Sequence, residues 1–269
     1  MKLYPCAKIN LGLYVIEKRP DGYHNIETVF YPIPLTDTLS INEDDEDKLL
    51  LSGIPVAGNA SDNLVMRVLR QTRQDFHIPP LCINLEKNIP SGAGLGGGSS
   101  DAASMMHLLN THFHLGLTDE EMERRVSRLG ADCAFFIKQQ PTLARGIGNE
   151  FSPVTVDLSG WYIALIKPEE FVSTREAYSM IKPAAPKFPL TEAIAKPVEQ
   201  WRDVLFNDFE DSVFPQHPVI SEIKHRLYQL GASYACMSGS GSSVFGLFRN
   251  DPSAYRELFS PHFFYSHSL

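Results

Sequence analysis

The segment from Ile89 to Ala103, IPSGAGLGGGSSDAA, has the composition of a phosphate-binding loop. Glycine occupies five of the seven positions from Gly92 to Gly98, and two serines follow before small, helix-forming residues. Because glycine has no Cβ, successive backbone N–H groups can turn toward an anion, and the N-terminus of a following helix adds about half a positive charge. The spacing therefore predicts a phosphate site. A flexible linker or close packing of the helix is the alternative, but linkers seldom join a strand directly to a strongly apolar helix.

Two well-known phosphate loops do not fit this segment. A Walker A loop needs a lysine before its Ser or Thr, and here Gly98 stands before Ser99. The protein-kinase loop needs a following valine and the VAIK, HRD and DFG elements, which the sequence lacks. The serine hydroxyls of Ser99 and Ser100 are then the polar side chains that the loop itself offers to a phosphate.

A third loop, the dinucleotide-binding GxGxxG pattern, does occur over Gly92–Gly97. That fold needs an acidic residue about 20 positions later, at the end of a second strand, to bind a ribose. The acids at that distance, Asp119 and Glu120, instead open a predicted helix, since Thr118 and Glu121 form a capping box. The pattern alone therefore favours a nicotinamide-dependent oxidoreductase only weakly.

The flanking patterns predict the elements that position the loop. Apolar residues alternate from Ile9 to Val15, which indicates a strand with one buried face and puts Lys8 and Asn10 on the other face. A strand over Leu81–Leu85 leads into the loop, and a helix over Asp101–Asn110, apolar nearly all round, leaves it. The loop is thus expected between a strand and a buried helix.

Elsewhere the sequence predicts a helix from Asn63 to Phe76 capped by Asp62 or Ser61, and another over Ser221–Leu230. The acidic run EDDED at Glu43–Asp47 is expected to be a solvated turn between strands. Strands and helices without regular βαβ alternation predict an α+β fold. A break in the pattern near Phe151 divides it into predicted domains 1–151 and 152–269.

Composition limits the function classes. The 269 residues are 43% hydrophobic and 21% charged, as in globular proteins, and the net charge of -8 provides no basic field for nucleic acid. The start, MKLYPCAKINLGL, lacks the pattern of a signal peptide, and no run reaches the roughly 20 apolar residues of a membrane span. Four scattered cysteines without a CxxC pair indicate buried, reduced thiols: Cys6, Cys82, Cys133 and Cys236. A cytoplasmic protein without nucleic-acid or membrane partners is expected, and the sequence leaves its oligomeric state unknown.

Several of these motifs resemble those of the GHMP kinase superfamily. PSGAGLGGGSSDAA, from Pro90 to Ala103, is similar to the ATP loop of that superfamily, P-x-x-x-G-L-G-S/G-S-S. AKINLGLYVIEKRPDGYHNIETVF, from Ala7 to Phe30, resembles the opening of the branch that phosphorylates a cytidine-diphosphate sugar alcohol. Further matches are SDNL at residues 61–64, GADCAFF at 130–136, GIG at 146–148 and SGSGSSVFGLF at 238–248. The resemblance spans nearly the whole chain and implies a two-lobed α+β fold with the active site in the cleft between the lobes.

The resemblance also implies roles for particular residues. Its catalytic lysine and aspartate fall on Lys8 and Asp132. The ATP-binding positions are Asn63, Pro90, Ser91, Gly92, Ala93, Gly94, Leu95, Gly96, Gly97, Gly98, Ser99 and Ser100. The substrate-binding positions are Asn10, Tyr23, His24, Thr174 and Tyr178, with Tyr23 stacking on the cytosine base and His24 bonding to its edge. Mg²⁺ is expected to enter on the ATP phosphates, with Ser100 as a possible ligand, and no metal site built by the protein is expected.

Other interpretations of these residues stay open at this point. Asp132 can cap a helix after Gly130, Lys8 can be a surface charge, and a Tyr-His pair can simply pack in a loop. Related kinases of homoserine or of a mevalonate derivative are expected to lack the DGYH turn, while a nucleotide-binding module without catalysis would not need both charged residues. Two departures from the family pattern are Tyr178, aligned with a phenylalanine, and Asp101, where some relatives have asparagine.

Overall fold

The computed structural model describes residues 1–56, 58–186 and 188–269. The strands are β1 (Lys2–Leu3), β2 (Cys6–Lys18), β3 (His24–Thr36), β4 (Thr38–Glu43), β5 (Lys48–Gly53), β6 (Leu81–Lys87), β7 (Thr142–Arg145), β8 (Glu150–Pro153), β9 (Tyr162–Lys167), β10 (Tyr234–Met237), β11 (Val244–Phe248) and β12 (Phe263–Ser268). The α-helices are α1 (Leu64–Thr72), α2 (Gly97–His112), α3 (Asp119–Val126), α4 (Phe135–Lys138), α5 (Thr174–Ser179), α6 (Leu190–Ile194), α7 (Phe209–Val213) and α8 (Pro218–Gln229). Short 3₁₀ helices cover Ala60–Asp62, Ala131–Cys133, Val198–Asp203 and Ser253–Phe259.

The strands form sheets with the orders β1-β4-β6-β5, β2-β3-β7-β8 and β10-β11-β9-β12. Strand β6 pairs antiparallel with β4 and parallel with β5, and β9 lies antiparallel between β11 and β12. Mixed and antiparallel sheets accompanied by helices confirm the predicted α+β class. The acidic run EDDED joins β4 to β5, so its prediction as a turn between strands is confirmed.

Contacts divide the chain into two compact units, and each unit is assembled from several segments. Unit 1 comprises Met1–Lys8, Leu35–Ser91 and Gly96–Gln140. Unit 2 comprises Ile9–Pro34, Gly92–Leu95 and Pro141–Leu269. The predicted domains 1–151 and 152–269 stay a prediction.

Helix α2 is the centre of unit 1. Its side chains from Ser100 to Met106 are all buried, and it contacts α1, α3, α4 and β4. The prediction that this helix is buried is confirmed, but the helix begins at Gly97, four residues before the predicted start at Asp101. Glycine has poor helix propensity, so sequence pattern alone does not extend a helix into a glycine run.

In unit 2, α8 packs against β10 and β11 and buries Ile220, Ile223 and Leu227. These side chains belong to an apolar cluster that also contains Leu13, Val15 and residues of β9 and β12. The helix begins at Pro218, three residues before the predicted start, because proline is favoured in the first turn of a helix.

Strand β2 differs from the expected strand with one buried face, since every residue from Cys6 to Val15 is buried. Within unit 2, a Cβ at Gly12 would lie 2.5 Å from Leu205 and 2.8 Å from Leu190, and the Tyr14 hydroxyl donates to the carbonyl of Val204 at 3.1 Å. The later segment 190–205 therefore covers the face of β2 that the alternating pattern predicts to be exposed to solvent.

Side-chain caps mark the N-termini of α1 and α3. The predicted capping box is confirmed, since Glu121 N–H donates to Thr118 Oγ1 and Thr118 N–H donates to the Glu121 carboxylate. The cap of α1 is Asn63, which accepts from Val65 N–H at 3.1 Å, and not Asp62 or Ser61 as predicted. Those two residues belong instead to a 3₁₀ helix, and α1 ends at Thr72 rather than Phe76.

All four cysteines are free: Cys6, Cys133 and Cys236 are buried, and Cys82 is half-buried. Within the three described ranges, no helix has both the length and the apolar character needed to cross a bilayer.

Candidate active site

The end of the glycine loop and the start of α2 form a junction in unit 1. Gly96 caps the helix with a φ of 70°, in the left-handed region where side chains are strained. A Cβ there would lie 2.7 Å from the Phe136 ring and 3.3 Å from Lys8 Cγ. Glycine thus lets the backbone approach both side chains, and the first N–H groups of α2 have no carbonyl one turn back to accept them.

The two serines of this first turn have different surroundings. The Ser99 hydroxyl lies beside Gly130, close to the thiol of Cys133 in the 3₁₀ helix Ala131–Cys133. Ser100 is fully buried, and within the described chain its Oγ has no hydrogen-bond partner. An unpartnered buried hydroxyl is costly, so Ser100 is the group at this helix start that a ligand oxygen or a bound cation would satisfy.

The same 3₁₀ helix carries Asp132, which pairs with Lys8 of β2 at a distance of 3.6 Å between Nζ and Oδ2. Lys8 is only 3% exposed, whereas the Asp132 side chain is 35% exposed. Burial lowers the pKa of Lys8, and the charge of Asp132 opposes that shift. The interpretations of Lys8 as a surface charge and of Asp132 as a helix cap are therefore wrong: the lysine is buried, and Gly130 occupies the cap position.

Several contacts bring these groups together within unit 1. Lys8 reaches Gly96 through its Cγ, and a Cβ at Gly130 would lie 3.3 Å from Cys133 Sγ and 4.0 Å from Ser99 Oγ. An ammonium, a partly exposed carboxylate and the open end of a helix therefore meet at one place. An ammonium and helix N–H groups can hold an anion, and a carboxylate can orient or deprotonate a hydroxyl.

The predicted substrate-binding residues lie in unit 2. The rings of His24 and Tyr178 stack at 4.6 Å with an angle of 16°, and Tyr178 meets Phe209 edge-on at 4.8 Å. Burial, with help from Lys18, lowers the pKa of His24. Tyr23 precedes β3 and is 61% exposed, so its ring face is available for stacking.

The two other predicted residues of this group are tied to small-residue segments. Asn10 is buried, donates through Nδ2 to Thr28 Oγ1 at 2.9 Å and through its backbone N–H to Ser238 Oγ at 3.3 Å. Thr174, the first residue of α5, lies 3.4 Å from the hydroxyl of Ser240. Unit 2 thus places Asn10 and Thr174 beside the small-residue segment MSGSGSS, residues 237–243, and His24 against Tyr178.

The topology around the loop excludes the dinucleotide-binding arrangement. In that fold, the helix after the loop leads to a second strand parallel to the first. Here α2 is followed by α3, and Asp119 and Glu120 lie in the first turn of α3. These acids therefore lie at the start of a helix and do not end a strand of the sheet.

Comparison with known proteins agrees with this geometry. The model of the GHMP kinases N terminal domain matches residues 63–140, and that of the GHMP kinases C terminal domain matches residues 190–260. A protein of Bacteroides fragilis named 4-diphosphocytidyl-2-C-methyl-D-erythritol kinase is 58% identical over 252 residues, covering 92% of each chain. A protein of Parabacteroides distasonis with the same name is 52% identical over 271 residues, covering 100% of each chain. The chain belongs to the 4-diphosphocytidyl-2-C-methyl-D-erythritol kinase family.

Solved structures agree with membership of this kinase family. A crystal structure of 4-(cytidine 5'-diphospho)-2C-methyl-D-erythritol kinase matches with a TM-score of 0.83 and 29% identity over 100% of both chains. The Methanococcus jannaschii mevalonate kinase matches with a TM-score of 0.70 at 14% identity, which shows the shared fold alone. The predicted GHMP kinase fold is confirmed, and the family is one of small-molecule kinases that use ATP.

Two polar features beside the loop of this kinase do not follow from the sequence patterns: a contact of Ser238 with the loop, and a cluster of three charged side chains. Ser238 donates to the carbonyl of Gly94 at 3.0 Å, whereas the sequence shows its segment, residues 238–248, only as a match to the family. Lys87, Asp37 and Asp101 form a buried ionic cluster. A signal for the cluster was present, because Lys87 and Asp37 occupy inward positions of the alternating strand patterns at 81–87 and 35–41.

Proposed function

We propose that this chain transfers the γ-phosphoryl group of ATP to the 2-hydroxyl of 4-diphosphocytidyl-2-C-methyl-D-erythritol, a step of non-mevalonate isoprenoid precursor biosynthesis. The observation that carries the proposal is the Lys8–Asp132 pair, which lies beside the first turn of α2 in a chain that is 52% identical over its full length to a kinase of that name. Because ATP is the donor, we place the reaction in the cytoplasm.

The glycine loop supplies the phosphate-binding groups. In this proposal ATP is bound by Asn63 and by every residue from Pro90 to Ser100. Backbone N–H groups of the loop and of the first turn of α2 are directed to its phosphates. The buried, unpartnered Ser100 hydroxyl supports a polar contact at the same place. Since the chain has a net charge of -8, an anionic nucleotide depends on such local groups.

Mg²⁺ would enter with ATP, held mainly by phosphate oxygens and water, with the Ser100 hydroxyl as the protein oxygen that fits best. When bound, it would neutralise charge that develops on the phosphate oxygens. Within the described residues, no three acidic, histidine or cysteine side chains converge on a common metal position. The chain's own contribution is therefore the cradle and the two charged side chains.

Asp132 and Lys8 would carry out the transfer. Asp132 accepts the hydroxyl proton, the hydroxyl oxygen bonds to the γ-phosphorus, and the bond to the β–γ bridging oxygen breaks, so that ADP leaves with that electron pair. Phosphoryl transfer passes through a loose transition state, so alignment and charge neutralisation contribute more than strong base catalysis. The partial exposure of Asp132 supports its role toward a substrate hydroxyl, and the burial of Lys8 strengthens its electrostatic effect.

Unit 2 would bind the cytidine end. Tyr178 covers one face of the His24 ring and so fixes its plane, while the described chain forms no hydrogen bond to the ring nitrogens of His24. A fixed, uncharged imidazole can bond to the edge of a base, and the exposed Tyr23 ring can stack on its face. Asn10 and Thr174 complete the proposed set.

The test is a coupled ADP-release assay with three acceptors at equal concentration: the cytidine-diphosphate sugar alcohol, homoserine and mevalonate phosphate. We expect kcat/KM for the cytidine compound to exceed the others by at least about a thousandfold, since a site built for hydrogen bonds strongly rejects compounds that lack the partner groups. Comparable rates with homoserine would overturn the proposed substrate. ATP binding without transfer to any acceptor would instead favour a module without catalysis, and binding of NAD would favour an oxidoreductase.

A further inference from the structure

Three charged side chains are buried together at the base of the glycine loop. Asp37, Lys87 and Asp101 are 0%, 3% and 2% exposed. The Lys87 ammonium donates to Asp37 Oδ2 and, at 2.6 Å, to Asp101 Oδ2. Burying three charges is costly unless they compensate one another, and replacing such groups with apolar side chains often stabilises a protein. The cluster therefore calls for a role other than stability.

One carboxylate fixes the entry to the loop. Asp37 lies between β3 and β4, and its Oδ1 accepts the backbone N–H groups of Asn88 at 2.5 Å and Ile89 at 2.8 Å. These are the first two residues after β6. The Asp37 side chain thus fixes the backbone at the point where the strand gives way to the loop.

The other carboxylate fixes the exit from the loop. Asp101 is the fifth residue of α2, and its ionic contact with Lys87 joins the helix to the last residue of β6. The Lys87 ammonium also lies 3.5 Å from the position of a Cβ at Gly97, against the first turn of α2. One lysine therefore joins the strand before the loop to the helix after it.

The segment between these two points, residues 88–100, contains the glycines that give the loop its freedom. A glycine-rich segment loses much conformational entropy when it is ordered around a ligand, and fixing its ends beforehand lowers that cost. We propose that Asp37, Lys87 and Asp101 form a positioning network, which holds the two ends of the glycine loop at the separation that ATP binding requires. ATP is the ligand in question, so this role rests on the proposed function.

The network makes a specific demand on each side chain. Lys87 has to donate to two carboxylates at once, so Lys87→Met leaves Asp37 and Asp101 facing each other without a cation. Asp101 has to accept one hydrogen bond from Lys87, and the amide oxygen of an asparagine can do the same. Asp101→Asn is therefore the conservative variant, whereas Asp101→Ala removes the acceptor.

The experiment measures ATP binding directly by titration calorimetry, with no second substrate, on the full chain. We expect Lys87→Met and Asp101→Ala to raise the Kd of ATP by tenfold or more, and Asp101→Asn to stay within threefold of the parent. In steady-state assays, the KM for ATP should rise in the first two variants while the KM for the cytidine compound stays within twofold. A change of both KM values by the same factor would contradict a role confined to the loop.

A matched control is Leu109→Ala, which opens a cavity near the C-terminal end of the same buried helix, nine residues after Ser100. It should lower the melting temperature with the Kd of ATP unchanged. If Lys87→Met or Asp101→Ala also lowers the melting temperature without changing the Kd of ATP, the cluster is structural only and the proposal is wrong. Should Lys87→Met fail to fold, the pair Asp101→Ala and Asp101→Asn decides the question. Because the titration needs no acceptor, it stays informative even if the parent fails to phosphorylate the cytidine compound.

Discussion

Gly94 is the loop position where one methyl group should have the largest effect. A Cβ added there would lie 1.9 Å from the carbonyl oxygen of Ser238 and 2.8 Å from its carbonyl carbon. Cβ atoms in proteins essentially never approach other heavy atoms closer than 3.0 Å. In Gly94→Ala the two backbones therefore have to separate by the difference between 3.0 Å and 1.9 Å, about 1.1 Å. Both partners are main-chain atoms of unit 2, so no side-chain rotation relieves the overlap.

The segment that carries Ser238 is itself fixed. Asn207 donates through Nδ2 to the carbonyls of Met237 and Gly239, each at 2.8 Å, and the backbone N–H of Ser238 donates to the carbonyl of Ser243 at 2.9 Å. The glycine loop is therefore the part that has to move. A displacement of about 1 Å in a positioned catalytic group can cost about a hundredfold in rate, and this is the loss of kcat/KM we expect.

Gly116→Ala is the matched control for this variant. Gly116 has a φ of +71°, close to the +75° of Gly94, but a Cβ there would meet no atom within 4 Å. Both variants therefore bear the left-handed strain, on the order of 1–2 kcal/mol, while Gly94→Ala alone bears the overlap. We would measure thermal unfolding and ADP release for both. If Gly94→Ala turns over within threefold of Gly116→Ala, the contact between the loop and Ser238 does not position the loop.

Three further predictions concern single side chains. Asp132→Asn should lower kcat by at least about a hundredfold with the Kd of ATP within threefold, as expected for a base or hydroxyl-positioning group; near-parental single-turnover rates would contradict this. His24→Ala should raise the KM for the cytidine compound about tenfold, the equivalent of one lost polar contact, and leave the KM for ATP unchanged. Burial raises the pKa of Asp101 to about 7, above its unfolded value of about 3.9. The stability that Asp101 contributes is therefore present below about pH 4 and lost as the pH rises through 7. The free energy of unfolding of Asp101→Asn, relative to the parent, should increase over that range in urea titrations, and a constant difference would show that Asp101 does not titrate there.

Local sequence patterns predict correctly which helices and strands form around the loop, but they predict the ends of these elements less accurately. The strand before the loop, the buried helix after it and the capping box at Thr118 follow from residue periodicity and side-chain chemistry within a few positions. The start of α2 at Gly97 does not, because the helix extends into glycines that have no helix propensity of their own and are held by contacts such as that of Gly96 with Phe136. The two buried faces of β2 likewise depend on residues about 180 positions away, which periodicity cannot reveal.

The residues of the candidate site also differ in how far the sequence predicts them. The glycine loop is a contiguous motif, so composition and order suffice to predict a phosphate cradle. Lys8 and Asp132 are 124 positions apart by their numbers, and only the family resemblance paired them before the structure placed them 3.6 Å apart. Residue type alone favoured a surface lysine and a capping aspartate, because charged side chains are mostly exposed. The structure overturns the first interpretation because Lys8 is buried, and the second because Gly130 occupies the cap position.

Charge compensation explains how an acidic chain can present a phosphate site next to three aspartates. Asp37 and Asp101 share the Lys87 ammonium, and Asp132 pairs with Lys8. These two ammonium groups and three carboxyl groups together carry one net negative charge when Asp101 is ionised and no net charge when Asp101 is protonated. Burial favours the protonated form of Asp101 by raising its pKa. The acids beside the loop therefore contribute little net repulsion, and the partial positive charge at the start of α2 can act on the phosphates.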